Sequence, residues 1–202
     1  MATVFKRPDQ DAYFLAMATL VSLRATCRRR RVGCVLVDSN RHVLATGYNG
    51  VARGRDHCLD HPCAGADFKP GLGLDQCEAI HAEQNAMLQC KDTQAIETAY
   101  ITVSPCITCV KLLMNTGCKR IVFIEPYAHS QAAQLWKGEW KHYGTVEHVY
   151  AELRLAAAKG VPEFDERQED LFGLRNEGSS LDGERSGRSE VRRERSRGES
   201  CD

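Results

Sequence analysis

The chain carries no net charge: among its 202 residues, 27 Lys and Arg balance 27 Asp and Glu. Nothing in that balance points to nucleic acid or to an anionic membrane surface as the main partner. No apolar run is long enough to span a bilayer, and the N-terminal MATVFKRPDQ lacks the apolar core of a signal peptide, so a cytoplasmic protein is expected. There is no internal repeat. What the chain does have is cysteine, ten in all. Without an export signal a disulfide framework is a poor account of them, and metal ligation is a better one.

The length fits one ordinary domain with an additional segment. After about Phe172, Arg, Glu, Ser and Gly dominate and apolar residues nearly vanish, which predicts disorder. From Arg175 to Asp202 there are seven Arg against seven Asp plus Glu. That is a balanced polyampholyte, whereas an arm that binds nucleic acid needs one sign of charge. A folded domain over 1–160 and a polar, disordered extension over 161–202 are therefore expected.

Residues 11–25 (DAYFLAMATLVSLRA) are apolar nearly all round and predict a buried first helix. VGCVLVD at 32–38 and HVLATGY at 42–48 predict two strands joined by the turn Ser39-Asn40-Arg41. A Cys/His/Gly-rich insertion occupies 51–76. Beyond it, helices are expected near 80–91, 106–116, 130–137 and 151–159, alternating with strands near 98–103, 120–124 and 145–150. This alternation predicts an α/β class with three α/β/α layers.

His81, Ala82 and Glu83, followed downstream by Pro105-Cys106-Ile107-Thr108-Cys109, form a His-x-Glu … Pro-Cys-x-x-Cys pair. His81, Cys106 and Cys109 suit Zn²⁺, and three protein ligands leave the fourth tetrahedral position for water, as in catalytic zinc sites. Cys106 and Cys109 are three apart and share a helix face. Ser104 as N-cap and Pro105 at the first helical position would place both cysteines in the first turn, where the helix dipole favours thiolates. Glu83, at a helix start, can diverge from His81 around one pocket, remain unligated and move protons. A lone Cys-x-x-Cys would fit a structural zinc knuckle equally well. Both halves in order, with Glu83 in place, form the pattern of zinc deaminases that act on cytosine or adenine.

Cys27, Cys58, Cys63 and Cys77 remain, with His57 and His61 beside them. Four ligands would close a structural zinc site that pins the insertion, with a histidine as substitute should one cysteine fail. The alternative is a set of free buried thiols. Cys34, Cys90 and Cys118 lie in apolar stretches and are expected in the core, and Cys201 is incidental.

LRATCRRRRVG at 23–33, GYNG at 47–50, the HC and C of the insertion, IHAEQNAMLQC at 80–90 and SPCITC at 104–109 together resemble the deoxycytidylate deaminases of the cytidine deaminase superfamily. The similarity covers roughly residues 10–150. It implies a cytidine-deaminase-like fold with a central mixed five-stranded sheet, one catalytic zinc, and conversion of dCMP to dUMP with release of ammonia, feeding thymidylate synthesis. It also implies that Asn49 lies near the sugar, that Arg24 approaches the phosphate, and that Tyr127 stands beside the nucleotide. Many members are homohexamers activated by dCTP and inhibited by dTTP. Gln89 and Asp92 stand where some regulated members carry an aromatic and an arginine, which puts that control in doubt.

A monophosphate independently requires cations, and Arg28, Arg29, Arg30 and Arg31 form a run beside Cys27. One or two of them reaching the phosphate would suffice, with the rest solvated. The alternatives are another cytosine nucleotide such as dCTP, a riboflavin-pathway deaminase for which the chain has no room for a reductase domain, a nucleic-acid base editor, and a non-catalytic zinc module. The last leaves Glu83 without a role.

Overall fold

The computed structural model of the chain describes residues 7–69, 72–127 and 130–157. The expected disordered tail, the 161–202 extension and Cys201 lie outside those residues.

The elements are α1 (Gln10–Ser22), β1 (Gly33–Val37), β2 (Val43–Tyr48), α2 (Ala82–Gln89), β3 (Thr98–Val103), α3 (Ile107–Leu113), β4 (Arg120–Glu125), α4 (Ser130–Leu135), β5 (Glu139–His142) and α5 (Val146–Ala157). The five strands form one mixed sheet in the order β2-β1-β3-β4-β5. β1 runs antiparallel to β2 and β3, while β4 is parallel to β3 and β5.

Strand side chains alternate between the two faces, and the central strands alternate between two separate cores. Cys34, Leu36, Ala99, Ile101, Ile121 and Phe123 pack under α2, α3 and α4. Val35, Val37, Tyr100, Val122 and Ile124 pack under α1 and α5. Burial on both faces explains why β1 and β3 read as continuous apolar runs. The result is the expected α/β/α sandwich.

Two glycines let helices approach the sheet closely. A Cβ on Gly33 would collide with the Ala18 carbonyl of α1, and one on Gly47 would collide with the Ala82 and Ala86 backbone of α2. The α1 side carries a buried ion cluster. Asp11 accepts from Arg120 Nη1 at 3.1 Å and Nη2 at 2.9 Å, from Lys141 Nζ at 2.7 Å and from the Tyr100 hydroxyl at 2.8 Å. Burial raises the proton affinity of the carboxyl, but the bonds from Arg120, Lys141 and Tyr100 outweigh it and hold Asp11 at about 2. The cluster ties α1 to β3, β4 and β5.

Three expectations require correction. The strand expected near 145–150 is instead the first half of α5, and the edge strand lies earlier, at Glu139–His142. Val146, Val149, Tyr150 and Leu153 repeat at helical spacing, a period that the alternation in Thr145–Tyr150 obscured. α1 is not buried all round: Tyr13 and Leu20 are exposed while Phe14 and Leu15 enter the core. α3 is shorter than expected and begins after Cys106, which is itself the N-cap. Of the cysteines assigned to the core, Cys34 and Cys118 are buried. Cys90 is half-buried and donates to the Asp92 carbonyl at 3.2 Å.

Among the described residues, no helix is long and apolar enough to cross a membrane.

Candidate metal centre and active site

Two helix starts converge on the site. β2 leads into Asn49 and Gly50, and Gly50 forms an isolated antiparallel bridge with Ile80. That bridge closes the neck of the insertion and delivers His81 as the N-cap of α2. The His81 backbone N–H is satisfied by Gln84 Oε1 at 2.9 Å, which fixes the entry angle of the helix. On the other side, β3 ends at Val103, and Ser104 and Pro105 lead to Cys106, the N-cap of α3. Cys109 is then the third helical residue. The site thus lies beyond the carboxyl end of β3, where the sheet changes from antiparallel to parallel pairing.

His81, Cys106 and Cys109 have donor atoms all within 4.8 Å of one another. His81 Nδ1 lies 3.5 Å from Cys106 Sγ and 3.4 Å from Cys109 Sγ. Tetrahedral zinc with ordinary Zn–S and Zn–N bonds requires a sulfur–nitrogen separation of about 3.6 Å. The donors are therefore spaced for one ion, and their chemistry fits zinc.

The hydrogen bond with Cys109, reinforced by His81, lowers the Cys106 thiol to about 3. The same bond with Cys106, with burial and the charge of Glu83 added, pushes Cys109 up. Ligation of an ion by both sulfurs requires both thiols to lose their protons.

Glu83, the second residue of α2, is 3% exposed. Burial pushes its carboxyl up from the ordinary glutamate value. It lines the same cavity as His81 and Cys106, a cleft of about 420 Å³. That volume is within the usual range for a small-molecule site.

The other anticipated residues divide. Asn49 is buried and lines the cavity, but its amide serves the backbone: Nδ2 donates to the Arg30 carbonyl at 2.8 Å, and Oδ1 accepts from the Val32 N–H at 2.7 Å. Tyr127 also lines the cavity, and its backbone N–H donates to Ser104 Oγ at 2.7 Å. Ser104 therefore binds the segment after β4 to the end of β3 and does not cap α3. Arg24 is exposed and outside the cavity lining. Nothing in its sequence position revealed that, because it falls in the turn where α1 ends. Phe68, from the insertion, forms part of the wall and was not anticipated. Its segment has no periodicity from which to read its direction.

The second cysteine set gathers more loosely. Cys58 Sγ and Cys63 Sγ are 3.7 Å apart. Burial opposes ionisation of Cys63, but bonds from the Glu78 backbone, Cys58 and others outweigh it and lower the thiol. Burial raises the Cys77 thiol, and the charges of Cys27 and Cys63 add to that rise. Cys27 and Cys77 also border the active cavity. His57 and His61 are exposed.

A layered α/β domain with three N and S donors at two helix starts, and a buried glutamate beside them, carries the donor set of an open, three-ligand zinc site. The chain belongs to the cytidine and deoxycytidylate deaminase family, whose zinc-binding region matches residues 8–125. It is 41% identical over 125 residues to a deoxycytidylate deaminase of Schizosaccharomyces pombe, covering 60% of this chain and 38% of that protein. It is 40% identical over 123 residues to the deoxycytidylate deaminase of Mycobacterium phage D29, covering 58% of this chain and 95% of the phage protein. Among solved structures, the dCMP deaminase of cyanophage S-TIM5 in complex with dCMP and dUMP superimposes with a TM-score of 0.54 at 26% identity, over 67% of this chain and 98% of that one. The chain thus spans well under half of the yeast relative and nearly all of the two phage proteins.

Proposed function

We propose that the chain catalyses the zinc-dependent hydrolytic deamination of dCMP to dUMP and ammonia, supplying dUMP for thymidylate synthesis. The observation that carries this reading is the placement of buried Glu83 in one cavity with His81 and Cys106, which with Cys109 form the donor cluster. The dCMP and dUMP bound in the S-TIM5 enzyme support the choice of nucleotide.

His81, Cys106 and Cys109 would hold the zinc. When bound, zinc supplies a water whose pKa is lowered to roughly 7, and hence a nucleophile at neutral pH. Glu83 would carry one proton of the attacking water to the ring N3 as the oxygen–C4 bond forms, and the remaining hydroxyl proton to the amino nitrogen, so that the C4 carbonyl forms as the C4–N bond breaks and ammonia leaves. A carboxyl whose proton affinity is raised by burial suits both directions of transfer, and such a group contributes on the order of 10²- to 10⁴-fold. Asn49 and Tyr127 shape the part of the cavity that would receive the sugar and nucleotide.

A second, structural zinc on Cys27, Cys58, Cys63 and Cys77 belongs to this reading. Its support is the 3.7 Å Cys58–Cys63 separation, close to the roughly 3.8 Å between two sulfurs on one tetrahedral zinc. Assembly as a homo-oligomer is also part of it, supported by the exposed Leu88, Leu112 and Met114 on and beside α2 and α3.

Ammonia release by zinc-replete protein offered dCMP, dCTP, CMP and deoxycytidine separately tests the activity, with dCTP and dTTP added as effectors of dCMP turnover. Preference for dCMP is expected. Turnover of none would remove the enzymatic reading.

A further inference from the structure

The arginines of the 28–31 run have different partners. Arg30 stands with its guanidinium carbon 5.8 Å from the centroid of the Tyr127 ring. Arg29 reaches the insertion instead: Nη2 donates to the carbonyls of Lys69 at 2.9 Å and Leu72 at 2.8 Å, and Nη1 to that of Gly73 at 3.5 Å. A terminal guanidinium nitrogen has two hydrogens, so Nη2 is fully committed to main chain. Three carbonyls on one permanent cation tie Lys69, Leu72 and Gly73 to the loop between α1 and β1.

This tie seats Phe68. Gly73 has a left-handed backbone, with φ of +56°, and a Cβ built on it would stand 2.6 Å from Phe68 Cγ. The Gly73 backbone therefore lies directly against the ring, an approach that only glycine allows. The Phe68 backbone N–H donates to the Gly65 carbonyl at 3.4 Å. Backed in this way, the side chain is still 41% exposed, and it borders the cavity that contains His81, Glu83 and Asn49. Aromatic side chains left open in a small-molecule cleft supply apolar contact area, and a nucleoside offers matching surface in its pyrimidine face and sugar carbons.

Resting on the deaminase reading above, we infer that Phe68 is a wall against which the nucleoside half of the substrate packs, and that Arg29 is a positioning residue that seats it. Arg29 acts through the main chain of the insertion and does not bind the substrate's anion.

Calorimetric binding of dUMP and deoxyuridine to zinc-replete protein tests this without turnover. F68A should weaken both ligands about 10-fold, the size of one aromatic contact. R29Q should weaken both by a similar factor, and R29K should recover part of the loss. The double variant R29Q/F68A should bind no worse than F68A, because Arg29 acts through the ring. G73A changes no charge and should reproduce the loss by displacing Phe68. In dCMP turnover the defect should lie in KM.

Zinc content of each variant separates a displaced ring from a disrupted insertion; should R29Q lose zinc, R29K and G73A carry the same comparison. Parental affinity in F68A overturns the assignment. So does a loss in R29Q confined to dUMP, which would mean a phosphate contact, or additive losses in the double variant. The expected binding pattern in a chain that releases no ammonia would remove the activity and leave the wall.

Discussion

Asn49 holds Arg30 by its backbone: the Asn49 side-chain amide donates to the Arg30 carbonyl at 2.8 Å, and its oxygen accepts from the N–H of Val32 at 2.7 Å. One side chain thus shapes the loop that aims the guanidinium. N49A leaves both backbone groups unpaired, which should cost about 1–3 kcal/mol of stability. It should also raise KM for dCMP. Urea denaturation midpoints and steady-state kinetics on the same preparation check both, and a variant with parental KM would detach Asn49 from substrate binding.

E83Q keeps the shape of the α2 start and removes the proton carrier. kcat should fall by at least about 10²-fold, with zinc retained at the parental level. Elemental analysis beside the ammonia assay separates this from metal loss. H81A, by contrast, removes a donor and should lose zinc and activity together.

Zinc content distinguishes one site from two. Two equivalents per chain are expected, falling to one in C63S together with a lowered thermal midpoint, because the insertion has few apolar contacts to replace the metal. A single equivalent in the parent protein would reduce Cys27, Cys58, Cys63 and Cys77 to free thiols.

Gly47 lies against the backbone of Ala82 and Ala86, flanking Glu83. G47A should push α2 away from β2 and cost about 3 kcal/mol or more, since neither neighbour is a flexible side chain. The displaced helix carries His81 and Glu83 with it. Weaker zinc retention should therefore accompany the lower stability, and chelator competition measures it.

Asp11 makes the fold acid-sensitive. Its carboxyl titrates at about 2 in the folded chain against 3.8 for the free group. A depressed folded value means that the contribution is present above pH 4 and is lost as pH falls from about 4 towards 2; it amounts to about 2 kcal/mol. D11N should be less stable than the parent at pH 7 by at least that amount, since Arg120 and Lys141 lose a charged partner, and the gap should narrow in acid. Denaturation at pH 7 and pH 3 checks the sign.

Periodicity located the strands of the sheet core because burial on both faces enforces continuous apolar runs, as in Cys34–Val37 and Ala99–Val103. It failed at residues 139–150, where a four-residue edge strand offers little pattern and the α5 period was mistaken for alternation. The family motifs named the donors without geometry. They could not show that α3 begins only after Cys106, or that Ser104 accepts from the Tyr127 N–H, a bond that depends on a segment distant in sequence.

The chemistry available to the site was determined by sequence alone: one imidazole, two thiols and one carboxylate at spacings suited to two helix starts. How the arginines beside it are disposed was decided only by the tertiary structure. Four consecutive arginines are equivalent in sequence, and their directions follow from distant contacts: Arg29 meets the carbonyls of the insertion, while Asn49 and Tyr127 fix Arg30. In an irregular loop no repeat dictates where a side chain points, so its direction is set by whatever packs against it.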